Sequence, residues 1–86
     1  MNYRVFWTPD AEASLEKLFR ESEAPRELAA VAQEIDRNLT TDPFHFGESR
    51  LQSVRVAFVR PLGVQFDVLD DVHTVIVDAV WRIDRK

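Results

Sequence analysis

The 86-residue sequence contains no cysteine, only two glycines and four prolines. Without cysteine the chain cannot form a disulfide framework, a thiolate metal site, an iron–sulfur cluster or a thiol nucleophile. With so little glycine and proline, and with no internal repeat, collagen-like and low-complexity classes are excluded. A chain of this length is expected to form a single domain, residues 1–86.

Long hydrophobic runs are also missing. No segment approaches the roughly 20 apolar residues that a membrane-spanning helix needs, so no membrane partner is expected. The first residues alternate like a strand and do not have the pattern of a signal peptide. Together with the absence of cysteine, this favours a cytoplasmic location.

Positive charge is scarce. The sequence has 11 Lys and Arg against 15 Asp and Glu, a net charge of −4. The balance is uneven: residues 1–49 hold five basic and ten acidic residues, whereas residues 50–86 hold six basic and five acidic ones. Neutralisation of phosphates dominates non-specific binding to nucleic acid, so this chain is a poor candidate for it. Any nucleic-acid contact must depend on arginines of the second half.

What the sequence does have is apolar residues for a core, 45% of the total, in regular patterns. Residues 2–8 alternate and predict a strand. Thr8-Pro9-Asp10 then predicts a helix with Thr8 as its N-cap. Pro25 begins a second amphipathic helix, which Asp42-Pro43 ends. Residues 43–53 are predicted to be a loop.

Three further strands are predicted at residues 54–60, 63–69 and 73–82. The short turns between them, Pro61-Leu62 and Asp70-Asp71, require antiparallel neighbours. The order β-α-α-β-β-β predicts an α+β fold. We expect a curved, mainly antiparallel four-stranded sheet with a helical hairpin on one face.

This arrangement also predicts where several side chains lie. Trp7 and Trp81 have apolar neighbours at the same parity and are expected in the core. With the turns as predicted, Arg60 falls near Arg82, and Arg55 falls near His73. Arg55 and Arg60 are then about 17 Å apart along their strand, so the cations form two groups and not one clamp.

Three stretches of the chain carry short patterns in a fixed order. They are Tyr3-Arg-Val-Phe-Trp-Thr-Pro-Asp-Ala11 with Leu15 and Leu18; Ala32, Ile35-Asp36, Leu39, Asp42-Pro43 and Gly47; and Val54-Arg55-Val56, Pro61-Leu62-Gly63-Val64, Phe66-Asp67-Val68, Val75-Ile76-Val77 and Val80-Trp81-Arg82. Together they resemble the RelE/ParE family of bacterial type II toxin–antitoxin (plasmid stabilisation) toxins, over nearly the whole chain.

The resemblance implies a toxin whose partner is a cognate antitoxin, with which it forms a hetero-oligomer. RelE-like members cleave mRNA on the ribosome, whereas ParE-like members inhibit DNA gyrase and are not nucleases. The cellular target is therefore expected to be either DNA gyrase or the ribosome with its mRNA. No cofactor is implied.

The resemblance also identifies candidate catalytic residues. RelE-like members carry basic residues on the second strand, an Arg on the third, an Arg at the end of the fourth, and often a Tyr beyond it. Arg55 and Arg82 match the second-strand and fourth-strand positions, and Arg60 is a further cation for contact with phosphate or target. A guanidinium can stabilise developing charge, but its pKa is too high for it to act as a general base.

Half of the nuclease set is missing. The third predicted strand has no Arg, no Lys lies on any predicted strand, and no Tyr follows Arg82 in the sequence. We therefore expect a ParE-like or diverged toxin with a protein target. A RelE-like mRNA endonuclease and a non-toxic binding domain remain the alternatives, and whether the chain is an enzyme stays open.

A second group of candidates is expected to bind the antitoxin or the target: Arg50, Phe44, His45 and His73. The histidines could also titrate near neutral pH, although each of these residues has a plainer interpretation as an ordinary surface side chain. His45 with Asp42 and Glu48 lacks the spacing of metal ligands, and no metal is expected. We expect an antitoxin segment that folds on binding, with cations facing the acidic helices and acidic or apolar residues facing Arg55 and Arg82.

Overall fold

The computed structural model describes residues 2–83, and its first half follows the predicted order. Strand β1 (Arg4–Trp7) leads into helix α1 (Pro9–Glu21) and helix α2 (Pro25–Thr41). Thr8 caps α1 as predicted, because its Oγ1 accepts a hydrogen bond from the Ala11 backbone N–H at 3.1 Å. Proline occupies the first turn of both long helices, where its missing N–H costs nothing.

The stretch predicted as a loop contains two short elements instead. A one-turn helix α3 (Pro43–Phe46) is followed by strand β2 (Glu48–Leu51). The other strands are β3 (Val54–Val59), β4 (Leu62–Leu69) and β5 (Thr74–Arg82), and a 3-10 turn (Asp70–Val72) joins β4 to β5. Strand β2 has no recognisable strand pattern, because its four residues, all exposed, are mostly charged or polar and show no β-branched enrichment.

The strands form one mixed sheet in the order β1-β5-β4-β3-β2. β1 runs parallel to β5, with Arg4 opposite Thr74, and every other pair is antiparallel. The prediction of four strands is therefore wrong in number, since β2 adds a fifth at one edge. The α+β class and the helical hairpin on one face are confirmed.

The core lies between the helices and one face of the sheet, which we call the helix-side face. α1 contributes Ala11, α2 contributes Leu28, Ile35 and Leu39, and the strands contribute Ala57, Leu62, Val64, Phe66, Val68, Val75, Val77 and Val80. Phe46 of α3 stacks on Phe66 from the same side. All the helices of the described chain thus cover one side, and the opposite side is called the outer face.

A β-bulge in β5 decides which way the last residues of that strand point. Gln65 is opposite Ala79 but Phe66 is opposite Val77, so Asp78 is the extra residue. The buried positions consequently run Val75, Val77 and Val80, and Trp81 turns to the outer face. The prediction that Trp81 lies in the core is wrong for this reason. Trp7 lies on β1, whose register with β5 has no bulge, and it packs against the core as predicted.

Candidate functional site

The candidate arginines separate into two groups, as predicted. β3 and β4 are joined by the turn Arg60-Pro61, and Leu62 after it is opposite Arg82, so Arg60 and Arg82 share one end of the sheet. Arg55 is opposite Phe66, four residues further along β4 and about 13 Å away. The predicted register of Arg55 with His73 is wrong, because the first turn is centred one residue earlier than predicted and the second one residue later. Through Phe66, Arg55 is aligned with Val77.

Arg55 lies on the helix-side face, where it alternates with the buried Ala57. Its Nη2 donates to the backbone oxygens of Phe44, at 2.8 Å, and Gly47, at 2.7 Å. The guanidinium carbon also lies 5.4 Å from the centre of the Phe44 ring. These contacts satisfy carbonyls at the end of α3 and fasten that helix to β3.

A small aromatic cluster continues from Phe44. Tyr3 meets Phe44 edge-on, with ring centres 6.4 Å apart, and lies against His73 at 4.9 Å. The Tyr3 hydroxyl donates to Asp70 Oδ1 at 2.5 Å, and this hydrogen bond raises the pKa of Tyr3. The structure therefore brings three predicted residues together, Phe44, His73 and Arg55. Sequence reasoning did not select Tyr3 or Asp70, which only the pairing of β1 with β5 brings together.

His45 and Arg50, the other two residues expected to bind the antitoxin or the target, are exposed on α3 and β2. His45 Nδ1 is 2.6 Å from Asp42 Oδ2. Arg50 forms an ion pair with Glu48 on the edge strand β2, at 3.3 Å. Within residues 2–83, no three His, Asp or Glu side chains are placed so that they could hold a metal ion.

Arg82 lines a cleft between the end of the sheet and the turn that joins α1 to α2, because the bulge has turned it to the helix side. The cleft has a volume of about 530 Å³. Its lining residues are Glu21, Ser22, Glu23, Ala24, Glu27, Leu28, Pro61 and Arg82. Three glutamates thus share the cleft with one guanidinium, and their charges would repel a phosphate.

Two aspartates form the centre of the outer face. Asp67 on β4 points away from the core, between the inward-facing Phe66 and Val68, and the bulge residue Asp78 lies beside it. Burial raises the pKa of Asp78 to about 6, helped by a hydrogen bond and charge repulsion from Asp67. Ser53 Oγ donates to Asp67 Oδ1 at 2.9 Å, which holds that carboxylate in place.

Exposed aromatic rings flank this carboxyl pair. Phe58 and Trp81 meet edge to face, with ring centres 6.3 Å apart, and are 55% and 36% exposed. Both stand in register with Gly63, where a Cβ would lie 2.6 Å from the Trp81 ring, so glycine lets the ring lie on the sheet. Phe6 on β1, 52% exposed, shares a row with Asp67. The outer face is therefore apolar with an acidic centre.

None of the helices in the described chain has the length and apolar composition of a membrane-spanning segment. The sequence matches no family model and no curated protein. Its fold, however, matches solved toxin–antitoxin structures. The RelBE2 complex from Mycobacterium tuberculosis contains a chain that superposes with a TM-score of 0.79 at 26% identity, covering 95% of this chain and 99% of that one.

Two more distant structures agree. A chain of the intact E. coli RelBE complex gives a TM-score of 0.68 at 17% identity, covering 96% of this chain and 99% of that one. A chain of the chromosomal ParDE system from P. aeruginosa gives 0.67 at 17% identity, covering 95% and 97%. The resemblance to the RelE/ParE toxins is thereby confirmed, and the chain has the fold of these toxins.

Proposed function

We propose that the chain is the toxin component of a type II toxin–antitoxin system and that it acts in the ParE-like manner, by binding a protein target such as DNA gyrase. The fold shared with the RelBE2, RelBE and ParDE structures supports the toxin role. The choice of a protein target rests on the composition of the outer face. Its centre holds Asp67 and Asp78, and its margins hold Phe58, Trp81 and Phe6.

An RNA-cleaving surface needs cations directed at phosphate and a group that accepts the 2′-hydroxyl proton. Arg55 is bonded to backbone oxygens, and Arg82 shares its cleft with Glu21, Glu23 and Glu27. Asp67 and Asp78 would repel phosphates from the outer face. A protein target requires none of the missing groups, since aromatic and apolar contacts supply most of the binding free energy in protein interfaces.

The experiment that tests this proposal has two parts. The chain is first expressed from an inducible promoter in bacteria, where we expect growth to stop. Purified protein is then added to a DNA gyrase supercoiling assay and, in parallel, to translating ribosomes followed by mapping of mRNA ends. We expect inhibited supercoiling without new mRNA ends. Normal growth on induction would contradict the toxin role.

The second candidate function is that of a RelE-like endonuclease, and one observation favours it. Of the three structures compared above, the one with the highest identity, 26%, is a RelBE complex. Under this alternative, the ribosome assay gives mRNA cuts that disappear in Arg82→Ala, and gyrase is unaffected. The Arg20→Ala variant, which removes an exposed cation of α1 that does not line the cleft, serves as the control of equal charge.

The surface that carries Phe44, His45, Arg50 and His73 is proposed as an antitoxin contact. Phe44 and His45 are exposed on α3, and Arg50 is exposed on the edge strand β2. Arg60, exposed at the same end of the sheet as Arg82, is proposed as a contact for an acidic side chain of a partner. Substituting the first group with alanine should weaken co-purification with the antitoxin without abolishing growth arrest.

A further inference from the structure

The outer face of the sheet is an apolar surface with no helix of the described chain upon it. Phe6 on β1 and Phe58 on β3 mark its two margins, and these two strands are three strand spacings or about 14 Å apart. That width accommodates one helix, about 10 Å in diameter, or a pair of extended strands. Large aromatic side chains left exposed together on one face are typical of a binding surface.

We propose that this face docks a segment of a partner protein with apolar side chains along one side and an Arg or Lys at its centre, and that the cation binds between Asp67 and Asp78. The inference deepens the proposed function by defining the chemistry of the partner, and it rests on that function only for the expectation that a protein partner exists.

The carboxyl pair identifies the charge of the occupant. Two adjacent carboxyls in a partly buried position repel each other when both are ionised, and a cation between them removes that repulsion. A guanidinium can also donate to both at once. Ser53 supplies one hydrogen bond to Asp67, and a further hydrogen bond joins Asp67 to Asp78. Two carboxyl groups have more acceptor positions than these two bonds use.

The neighbouring charged groups do not supply this cation. Arg4 on β1 shares the outer face, but its guanidinium carbon lies over the Phe6 ring at 5.8 Å. Arg50 on β2 is paired with Glu48, which is in register with Val56 at the far edge. The face as a whole therefore selects a positively charged segment and disfavours both RNA and an acidic peptide.

The test is a selection with a displayed library of random 20-residue peptides against the purified, folded chain at pH 7.5. We expect the enriched peptides to carry a single Arg or Lys between aromatic or aliphatic residues. Their affinity should fall about 30-fold for the double variant Asp67→Asn/Asp78→Asn, because loss of the anions leaves a desolvated cation unpaired. Phe58→Ser should weaken binding about tenfold.

The matched control is Glu12→Gln/Glu34→Gln, which removes the same two charges from exposed positions on the helices and should leave binding unchanged. Asparagine retains an oxygen that can accept from Ser53, so the double variant should keep its fold, which circular dichroism checks. Peptide affinity for the native chain should also fall when the pH is lowered from 7.5 to 5, while the double variant shows no such change.

Three results would overturn the proposal: enriched peptides that are acidic or uncharged, peptides that bind the double variant as tightly as the native chain, or a library that yields no binders. Binding of single-stranded RNA that Phe58→Ser abolishes would assign the face to nucleic acid instead. These outcomes are separable from the toxin role. Growth arrest without such peptides rejects only this inference, and such peptides without growth arrest reject only the proposed function.

Discussion

Arg55 matches a basic position of the nucleases in sequence, yet its guanidinium is bonded to the backbone oxygens of Phe44 and Gly47. Arg55→Ala should lower the free energy of unfolding by about 2 kcal/mol, since both carbonyls would lose a charged donor. Urea unfolding followed by tryptophan fluorescence measures this. Arg50→Ala, which removes only an exposed ion pair, should change it by less than about 0.5 kcal/mol. Unchanged stability together with lost toxicity would instead make Arg55 a functional residue.

The raised pKa of Asp78 predicts that the free energy of unfolding depends on pH. Its pKa of about 6 in the folded chain is above its ordinary value of 3.8, so the folded state binds the proton more tightly. The resulting stabilisation is fully present below about pH 4 and is lost as the pH rises through 6. Asp78→Asn does not titrate, so it should gain about 1 kcal/mol over the native chain by pH 7.5, after allowance for solvent screening.

Urea unfolding of both chains between pH 4 and pH 8 gives this difference directly. It should grow across the window from pH 4 to 6 and then stay constant. Glu34→Gln, at an exposed helix position, is the control and should show no such growth. A difference independent of pH would mean that Asp67 and Asp78 do not share a proton.

At the scale of elements, two glycines lie where an aromatic ring packs directly against the backbone. A Cβ at Gly47, between α3 and β2, would lie 2.6 Å from the buried Phe66 ring, and one at Gly63 would lie 2.6 Å from the exposed Trp81 ring. Phe66 has no room to move, whereas Trp81 can swing into solvent. Gly47→Ala should therefore cost about 3 kcal/mol of stability and Gly63→Ala about 1 kcal/mol.

Thermal unfolding of Gly47→Ala, Gly63→Ala and the native chain measures which substitution costs more stability. Gly63→Ala should also shift the fluorescence emission of Trp81 to longer wavelength, because the ring leaves the sheet. A larger loss at Gly63 than at Gly47 would contradict the assignment of Phe66 to the core and Trp81 to the outer face.

The elements that the sequence predicted well are those whose signals are local. Thr8 with Pro9, and Pro25, define helix starts through neighbours within one turn. Strand β2 and the bulge at Asp78 have no such local signal. The four exposed residues of β2 include no β-branched side chain, and the bulge arises only in the pairing of β5 with β4. The grouping of Arg60 with Arg82 follows from one turn and was predictable. The pairing of Asp67 with Asp78 requires the bulged register and was not.

At the scale of the whole molecule, the acidic balance predicts weak binding to nucleic acid. We expect filter binding at 150 mM salt to detect no complex of the purified chain with a 20-nucleotide single-stranded RNA. The reason is that net charge −4 leaves few phosphates neutralised. Asp67→Asn/Asp78→Asn should not create such binding by itself, because Arg55 and Arg82 lie on the helix side and Arg4 lies against the Phe6 ring. Tight, salt-sensitive binding by the native chain would favour the endonuclease alternative.

The parallel pairing of β1 with β5 has a consequence for how the protein is made. Residues 4–7 leave the ribosome about 70 residues ahead of their partners, residues 74–77. A nascent chain therefore cannot complete its sheet until β5 has emerged, and contacts of such high sequence separation form slowly. Because β5 lies between β1 and β4, the first strand stays unpaired in the sheet until that point.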